Sequence, residues 1–262
     1  MTLLVDAGNT ALKWALADAD GVVVGHVRAE VHRGVDDLAE RLATHWRGLP
    51  AQRAFGCSVA GPQVAAAIER AAAAGGWSIR WLLSEARHDG EFVLENRYRT
   101  PRQLGTDRWH GMLGSCRLFP HRSLVRVAAG TATTIDCIDW TARHAQFVGG
   151  CIAPGVRMMQ GALARGTAGL PHAAGRAVDF PDNTDDAIVT GVIDAQAGLV
   201  ERMVQRLALR IGARPDVVVS GGDAEPLARR LDDAGIAATI AHNLVLAGVG
   251  LRARDPSSLA GP

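Results

Sequence analysis

The feature that most constrains this chain is a pattern it carries twice. Residues 5–16, VDAGNTALKWAL, and residues 127–138, VAAGTATTIDCI, each read as an apolar strand, a Gly/Thr turn and a second apolar strand. A strand that returns through a tight turn starts an antiparallel sheet. Its recurrence about 120 residues later predicts two related domains, each presenting one turn to a common cleft. The alternative is a chance match between two short segments. A length of 262 residues suits one large domain or two modest ones.

The flanking elements support duplication. Leu3–Asp6, Leu12–Ala17 and Val22–Val27 read as strands, with Asp18–Gly21 as a turn. Val35–Trp46 has helical spacing, with Asp36 and Asp37 expected in the first turn, where the helix dipole favours acids. Arg53–Ala60 and Ser78–Leu83 follow as strands around a helix at Pro62–Ala74. This β-β-β-α-β-α-β order predicts a mixed sheet flanked by helices. Ser84–Arg102 is polar and shows little periodicity, and Arg108–Leu118 is helical. The pattern then restarts with strands at Ser123–Ala128, Thr134–Asp139 and Gln146–Ile152 and a helix at Val156–Arg165. Thr184–Ile211 reads as a helix long enough to break or bend near Gly191 or Gly198. Val217–Ser220 is a strand, and Ala224–Leu231 and Asn243–Arg254 are helices. The expected domains are therefore 1–118 and 119–262.

Composition narrows the function classes. The 28 basic residues against 27 acidic ones leave a net charge of +1, which argues against a nucleic-acid partner held by bulk charge. Cys57, Cys116, Cys137 and Cys151 form no C-x-x-C pair, so structural zinc is not expected and reduced thiols in a cytoplasmic protein are. The start MTLLVDAGNT lacks a basic n-region and an apolar h-region. No uncharged apolar run reaches the roughly 18 to 20 residues of a membrane span, so no membrane partner is expected. Among the basic residues only Lys13 is lysine; the rest are arginine. A site that keeps lysine under such a bias points to a need for a compact, flexible ammonium; chance survival is the other reading.

Four segments carry candidate chemistry. In Asp6-Ala7-Gly8-Asn9-Thr10 a tight turn presents backbone N–H groups, glycine admits a phosphate, and Lys13 follows on the next strand. Asp6, at the end of a buried strand, is placed to orient a hydrated Mg²⁺. Gly130-Thr131-Ala132-Thr133-Thr134 offers a second cradle, and Ser220-Gly221-Gly222-Asp223-Ala224 a flat glycine loop opening a helix. Each of these also reads as an ordinary turn satisfied by its own backbone. In Gly105-Thr106-Asp107-Arg108 a carboxylate is available to take a proton from a hydroxyl, and a guanidinium to clamp a carboxylate. A capped helix start is the plain alternative there. No Walker A loop, G-x-G-x-x-G, G-x-S-x-G or H-E-x-x-H occurs.

Taken together, VDAGNTALKWAL, YRTPRQLGTDRWHGMLG, AGTATTID, GGCIAPGVRMM with GTAGLP, NTDDAIVTG and SGGDA resemble the type III pantothenate kinases of the acetate and sugar kinase/Hsp70/actin superfamily. The resemblance implies an α/β fold of two ribonuclease-H-like domains, each a mixed sheet flanked by helices, with a cleft between them. It implies ATP-dependent phosphorylation of pantothenate to 4'-phosphopantothenate, the first step of coenzyme A biosynthesis. Asp107 is then the proton acceptor. Asp6, Ala7, Gly8, Asn9, Thr10, Ala11, Leu12 and Lys13 form the first ATP element, and Thr131 lies in the second. Tyr98, Gly105, Thr106, Asp107 and Arg108 line the pantothenate site. Thr184 is expected to reach it from the second subunit of a homodimer with shared sites. ATP with Mg²⁺ is the expected phosphoryl donor, and K⁺ or NH₄⁺ the activating cation. Many members hold that cation with an aspartate two residues before the second turn's glycine, and this chain has Ala128 there. The alternatives on the same fold are a phosphatase and a non-catalytic, ATP-binding accessory protein of transcription.

Overall fold

The computed structural model describes residues 1–32 and 35–254. It divides into two compact units: among the described residues, one holds 1–88, 98–120 and 243–254, the other 89–97 and 121–242. This partition departs from a cut at 118/119 in two places. The last helix returns to the first unit, because its small and apolar residues find their partners there. Residues 89–97 join the second, because their strand pairs with that unit's sheet. Residues 255–262 lie outside the described residues.

The first unit opens with β1 (Thr2–Ala7), β2 (Ala11–Ala17) and β3 (Val23–Val31), followed by α1 (Leu38–Trp46), β4 (Arg53–Ser58), α2 (Pro62–Ala74) and β5 (Ile79–Trp81). The sheet order is β3-β2-β1-β4-β5, with β1 antiparallel to β2 and parallel to β4. Period-2 alternation sends Leu3, Val5, Leu12 and Trp14 to one face, where α1 and α2 cover them through Leu38, Leu42, Trp46 and Ile68. Each such side chain, fully buried, contributes roughly 1.5–3 kcal/mol. Helix α1 starts three residues later than its spacing predicts. Asp37 stands outside it as the N-cap with a positive φ of 56°, so neither Asp36 nor Asp37 lies in the first turn, where Glu40 is the acid.

The polar stretch 84–102 hides two short strands, β6 (Arg87–Asp89) and β7 (Val93–Asn96). A 3₁₀ turn at Pro101–Gln103 leads into α3 (Thr106–Leu118). The second unit then repeats the first. It contains β8 (Leu124–Ala129), β9 (Ala132–Thr141), β10 (His144–Pro154), α4 (Val156–Gly166), α5 (Thr184–Ile211), β11 (Asp216–Ser220), α6 (Ala224–Asp233) and β12 (Ala238–Ile240). Its sheet runs β12-β11-β8-β9-β10-β7-β6. Read from β10 to β12, this is the strand order of the first unit, with β7 and β6 added beyond β10. The pairing senses agree too: β8 is antiparallel to β9 and parallel to β11. Helix α5 is continuous; Gly191 and Gly198 sit where an added Cβ would meet nothing, so they neither break it nor pack against a neighbour. Its Asn183 cap accepts from the Asp186 amide, and Val200, Val204 and Leu207 enter the second core with Val125, Val127 and Ile135.

Helix α7 (Leu244–Ala253) closes the first unit. Leu246, Val249 and Ala253 cover the second face of its sheet against Leu4, Phe55 and Cys57. Helices α3 and α7 cross backbone to backbone: a Cβ on Gly248 would stand 1.9 Å from the His110 carbonyl, and one on Gly114 1.9 Å from that of Leu244. Glycine at the crossing therefore fixes how closely the late helix holds α3.

Candidate active site

Three residues stand in a row across the head of the first sheet. Asp6 on β1 faces Lys13 on β2 and Cys57 on β4. Their alternation places all three on the face that α7 covers, opposite the face packed by α1 and α2. The buried Cys57 thiol donates towards Asp6 Oδ1 at 4.0 Å. Burial first, then the charges of Asp6 and Asp107, push that thiol well above the usual range. Cys57 thus stays neutral and reports that both carboxylates lie close enough to act on it. The charges of Asp6 and Asp107, a hundred residues apart in sequence, thus both act on one thiol.

Asp107 sits in the first turn of α3, whose N-terminal amides favour an anion. Gly105 precedes it, and a Cβ there would stand 2.7 Å from Asp107 Oδ1, so the carboxylate lies over a residue that must remain small. The start of α3 is pinned from beneath. The Thr106 hydroxyl donates to the Leu82 carbonyl at 2.8 Å, and the Ser84 hydroxyl donates to the Leu104 carbonyl at 2.8 Å. The hydroxyl of Thr106 is therefore turned inward, leaving its backbone as the part that can meet a substrate. Arg108 is buried, and its guanidinium donates to the Tyr98 hydroxyl at 3.0 Å while lying 5.7 Å from the ring centroid. The only tyrosine and the expected clamp are joined.

His110, one turn along α3, is wholly buried with Nδ1 donating to the Thr106 carbonyl at 2.7 Å. Burial first, with the nearby charges of Arg252 and His88, lowers its pKa from 6.5 to about 4. Between those values the unfolded chain binds the proton and the folded chain does not. Stability is consequently full above pH 6.5 and falls as pH drops towards 4, by about 3 kcal/mol from this group. Urea midpoints measured from pH 7.5 to 4.5 should show that fall, and His110→Gln should flatten it; equal slopes would overturn the assignment.

The first turn itself joins β1 to β2, with Gly8 N donating to the Ala11 carbonyl at 3.1 Å and the exposed Asn9 and Thr10 at its head. A Cβ on Gly8 would stand 3.1 Å from that carbonyl, a tight fit in which the turn would have to give by a few tenths of an ångström; its φ is not positive. Ala7 and Leu12 are fully buried in the core. Among the eight residues expected at this element, those two can reach a ligand only through their backbones.

In the second unit three loops converge. Gly155, capping α4, donates to the Thr131 carbonyl at 3.0 Å, and a Cβ on it would fall 2.0 Å from the Gly130 carbonyl. Gly221, at φ +106°, lies against Ala129, and Asp223 N donates to the Ala129 carbonyl at 3.1 Å. The glycine loop SGGDA and the turn AGTATT thus form one construction, joined by Gly155, which sequence reasoning placed only within a motif. Thr131 is exposed at its tip. Ser220 points inward, its hydroxyl donating to the Val127 carbonyl at 3.2 Å. Thr184 heads α5, exposed on the rim of a largely apolar groove of about 1000 Å³ between α4 and α5. Among the described residues no cluster of three or more His, Cys, Asp or Glu is arranged to hold a metal. No described helix is long and apolar enough to cross a membrane.

The chain thus forms two α/β units of one strand order, each opening on a hairpin with a glycine turn. The fold is shared with a Campylobacter jejuni protein described as a Baf family transcriptional activator, at TM-score 0.60 and 20% identity, covering 97% of this chain and 99% of that one. It is shared also with a Sinorhizobium meliloti protein described as a 2-dehydro-3-deoxygalactonokinase, at TM-score 0.56 and 15% identity over 98% and 99% of the two chains. A sequence model of the type III pantothenate kinases matches residues 2–206. The type III pantothenate kinase of Aromatoleum aromaticum is 42% identical over 98% of this chain and 100% of its own length. That of Laribacter hongkongensis is 39% identical over 97% and 99%. The chain belongs to the type III pantothenate kinase family.

Proposed function

We propose that the chain transfers the γ-phosphoryl group of ATP to the primary hydroxyl of pantothenate, giving 4'-phosphopantothenate and ADP at the entry to coenzyme A biosynthesis, with Asp107 as proton acceptor. Family membership over nearly the whole chain supports the reaction. The observation that carries the site is the row of Lys13, Asp6 and Cys57 across neighbouring strands, with the charge of Asp107 also acting on Cys57. Asp107 accepts the hydroxyl proton as the new O–P bond forms and the bond to ADP breaks. Arg108, held by Tyr98, supplies a fixed guanidinium for the substrate carboxylate. Gly105 and the backbone of Thr106 complete that side.

Asp6 to Lys13 and Thr131 are the proposed ATP contacts. Asp6 is a half-buried, hard oxygen donor at the end of a strand, a donor set that fits Mg²⁺ held through water. When bound, Mg²⁺ neutralises phosphate charge; Asp6 fixes its place. Lys13 adds a mobile positive charge across the hairpin. Lys13→Ala is expected to raise the KM for ATP about tenfold or more, with a smaller change in the KM for pantothenate; an unchanged KM for ATP overturns the role.

The residues present do not fit the family's monovalent-cation site at its usual place. Ala128 pairs with Thr134 and offers a methyl group where an oxygen ligand is needed. Replacing Na⁺ by K⁺ or NH₄⁺ is therefore expected to change turnover little. A strong, saturable requirement would assign the cation to other ligands. The apolar groove at Thr184 supports a homodimer in which the second copy brings Thr184 to the pantothenate site, and four unpaired cysteines support a cytoplasmic setting. Neither the accessory-protein nor the phosphatase alternative is favoured: likeness to the Campylobacter protein at 20% identity carries the fold alone. ADP production from Mg·ATP with and without pantothenate tests the proposal. Pantothenate-dependent ADP is expected; phosphate release without an acceptor would point to a hydrolase.

A further inference from the structure

We propose that His32 is a positioning residue for the nucleotide, holding the Gly8–Ala11 turn so that the amides that follow Gly8 face the ATP phosphates. The proposal rests on the reading that this turn binds ATP. His32 follows the end of β3, two strands away from β1, and is only 7% exposed. Its ring Nε2 lies 2.8 Å from the Gly8 carbonyl. A carbonyl only accepts, so Nε2 carries the hydrogen and donates, which fixes the tautomer. The backbone amide of the same residue donates to the Thr10 carbonyl at 3.0 Å. One residue therefore engages the carbonyls on both sides of Asn9.

That arrangement has an electrostatic consequence. A turn can cradle an anion only if its N–H groups converge on the ligand while its carbonyl dipoles point elsewhere. A Gly8 carbonyl released from His32 is free to rotate its peptide plane, setting a negative dipole against a triphosphate. The bond is part-buried, so losing it leaves an acceptor that water reaches only in part. Gly8 has no side chain of its own to brace the turn. The brace has to come from outside the hairpin, and His32 supplies it.

The test uses the full chain with His32→Leu, which keeps bulk and loses the donor, and His32→Gln, whose amide can donate to Gly8. Mg·ATP affinity is measured by calorimetry without pantothenate, and both KM values are measured in the kinase assay. His32→Leu should weaken Mg·ATP binding and raise the KM for ATP about tenfold, equivalent to 1.4 kcal/mol, with the KM for pantothenate nearly unchanged. His32→Gln should recover most of the loss. A Leu variant that binds Mg·ATP like wild type, a Gln variant as impaired as Leu, or a parallel rise in both KM values overturns the proposal. If Leu does not yield folded protein, His32→Asn, too short to reach Gly8, carries the same expectation. Wild-type protein that binds Mg·ATP without phosphorylating pantothenate would overturn the proposed function, while the binding comparison would still decide His32.

Discussion

Asp107→Asn is expected to lower kcat by a factor of about 10²–10⁴ while leaving the fold intact, the range found when a positioned general base is removed. The amide has the size of the carboxylate but cannot take a proton from the substrate hydroxyl. Its NH₂ group also presents a donor where an acceptor is needed. Folding has little reason to suffer, because Asp107 is only half-buried and its chief structural service is a favourable charge in the first turn of α3. That charge is worth about 0.3–1 kcal/mol. The pins beneath the helix, Thr106 to Leu82 and Ser84 to Leu104, do not involve it. ADP formation at saturating ATP and pantothenate, beside a thermal melt of the same preparation, separates chemistry from stability. A variant that turns over near the wild-type rate would remove Asp107 from the role of base, whatever its place in the site.

Asp136→Ala is expected to cost about 3–5 kcal/mol of stability, the penalty for stranding one member of a buried ion pair. Arg126 and Asp136 stand directly opposite each other on β8 and β9, joined at 2.9 Å, with side chains 2% and 0% exposed. Removing the carboxylate leaves a guanidinium without its counter-charge in a place that water does not reach. The same reasoning predicts that Arg126→Met with Asp136→Leu recovers much of the loss, since the burial penalty of both charges then disappears. Urea midpoints of the two single variants and the double variant, compared at equal slope, test both statements. A single variant within 1 kcal/mol of wild type would show the pair to be solvated in solution. Because β8 and β9 flank the Gly130–Thr131 turn, the damaged variant should also bind ATP less tightly under conditions where it remains folded.

Much of this architecture is legible in residue order. The helix at Pro62–Ala74 and the long helix at Thr184–Ile211 fall where their spacing and caps put them. So do the two hairpins, since alternation and turn chemistry are local signals. The strands β6, β7 and β12 are not legible. They have three or four residues each, and their pairing partners lie far away in sequence, as for β7 on β10. The start of α1 was misplaced because Asp37 adopts a left-handed conformation that its charge does not announce. At the site, motif residues such as Asp6, Lys13 and Asp107 could be named from their chemistry. Cys57 reads only as a core thiol, and His32 as one histidine among nine; neither type nor spacing marks it, because its partner is a backbone carbonyl.

The sequence by itself determined the duplication, the two glycine turns and the kind of chemistry, because strand alternation, turn residues and ionisable groups act over a few neighbouring positions. Only the tertiary structure decided which unit owns each end of the chain. It also decided that Asp6 and Asp107 share a neighbour, and that Gly155 and Gly221 build the second turn. The reason is one of range. A side chain's type is set by its codon, but its partner is set by register and helix crossing, and those are fixed by backbone contacts between distant segments, such as those that bring Gly21 against Gly250.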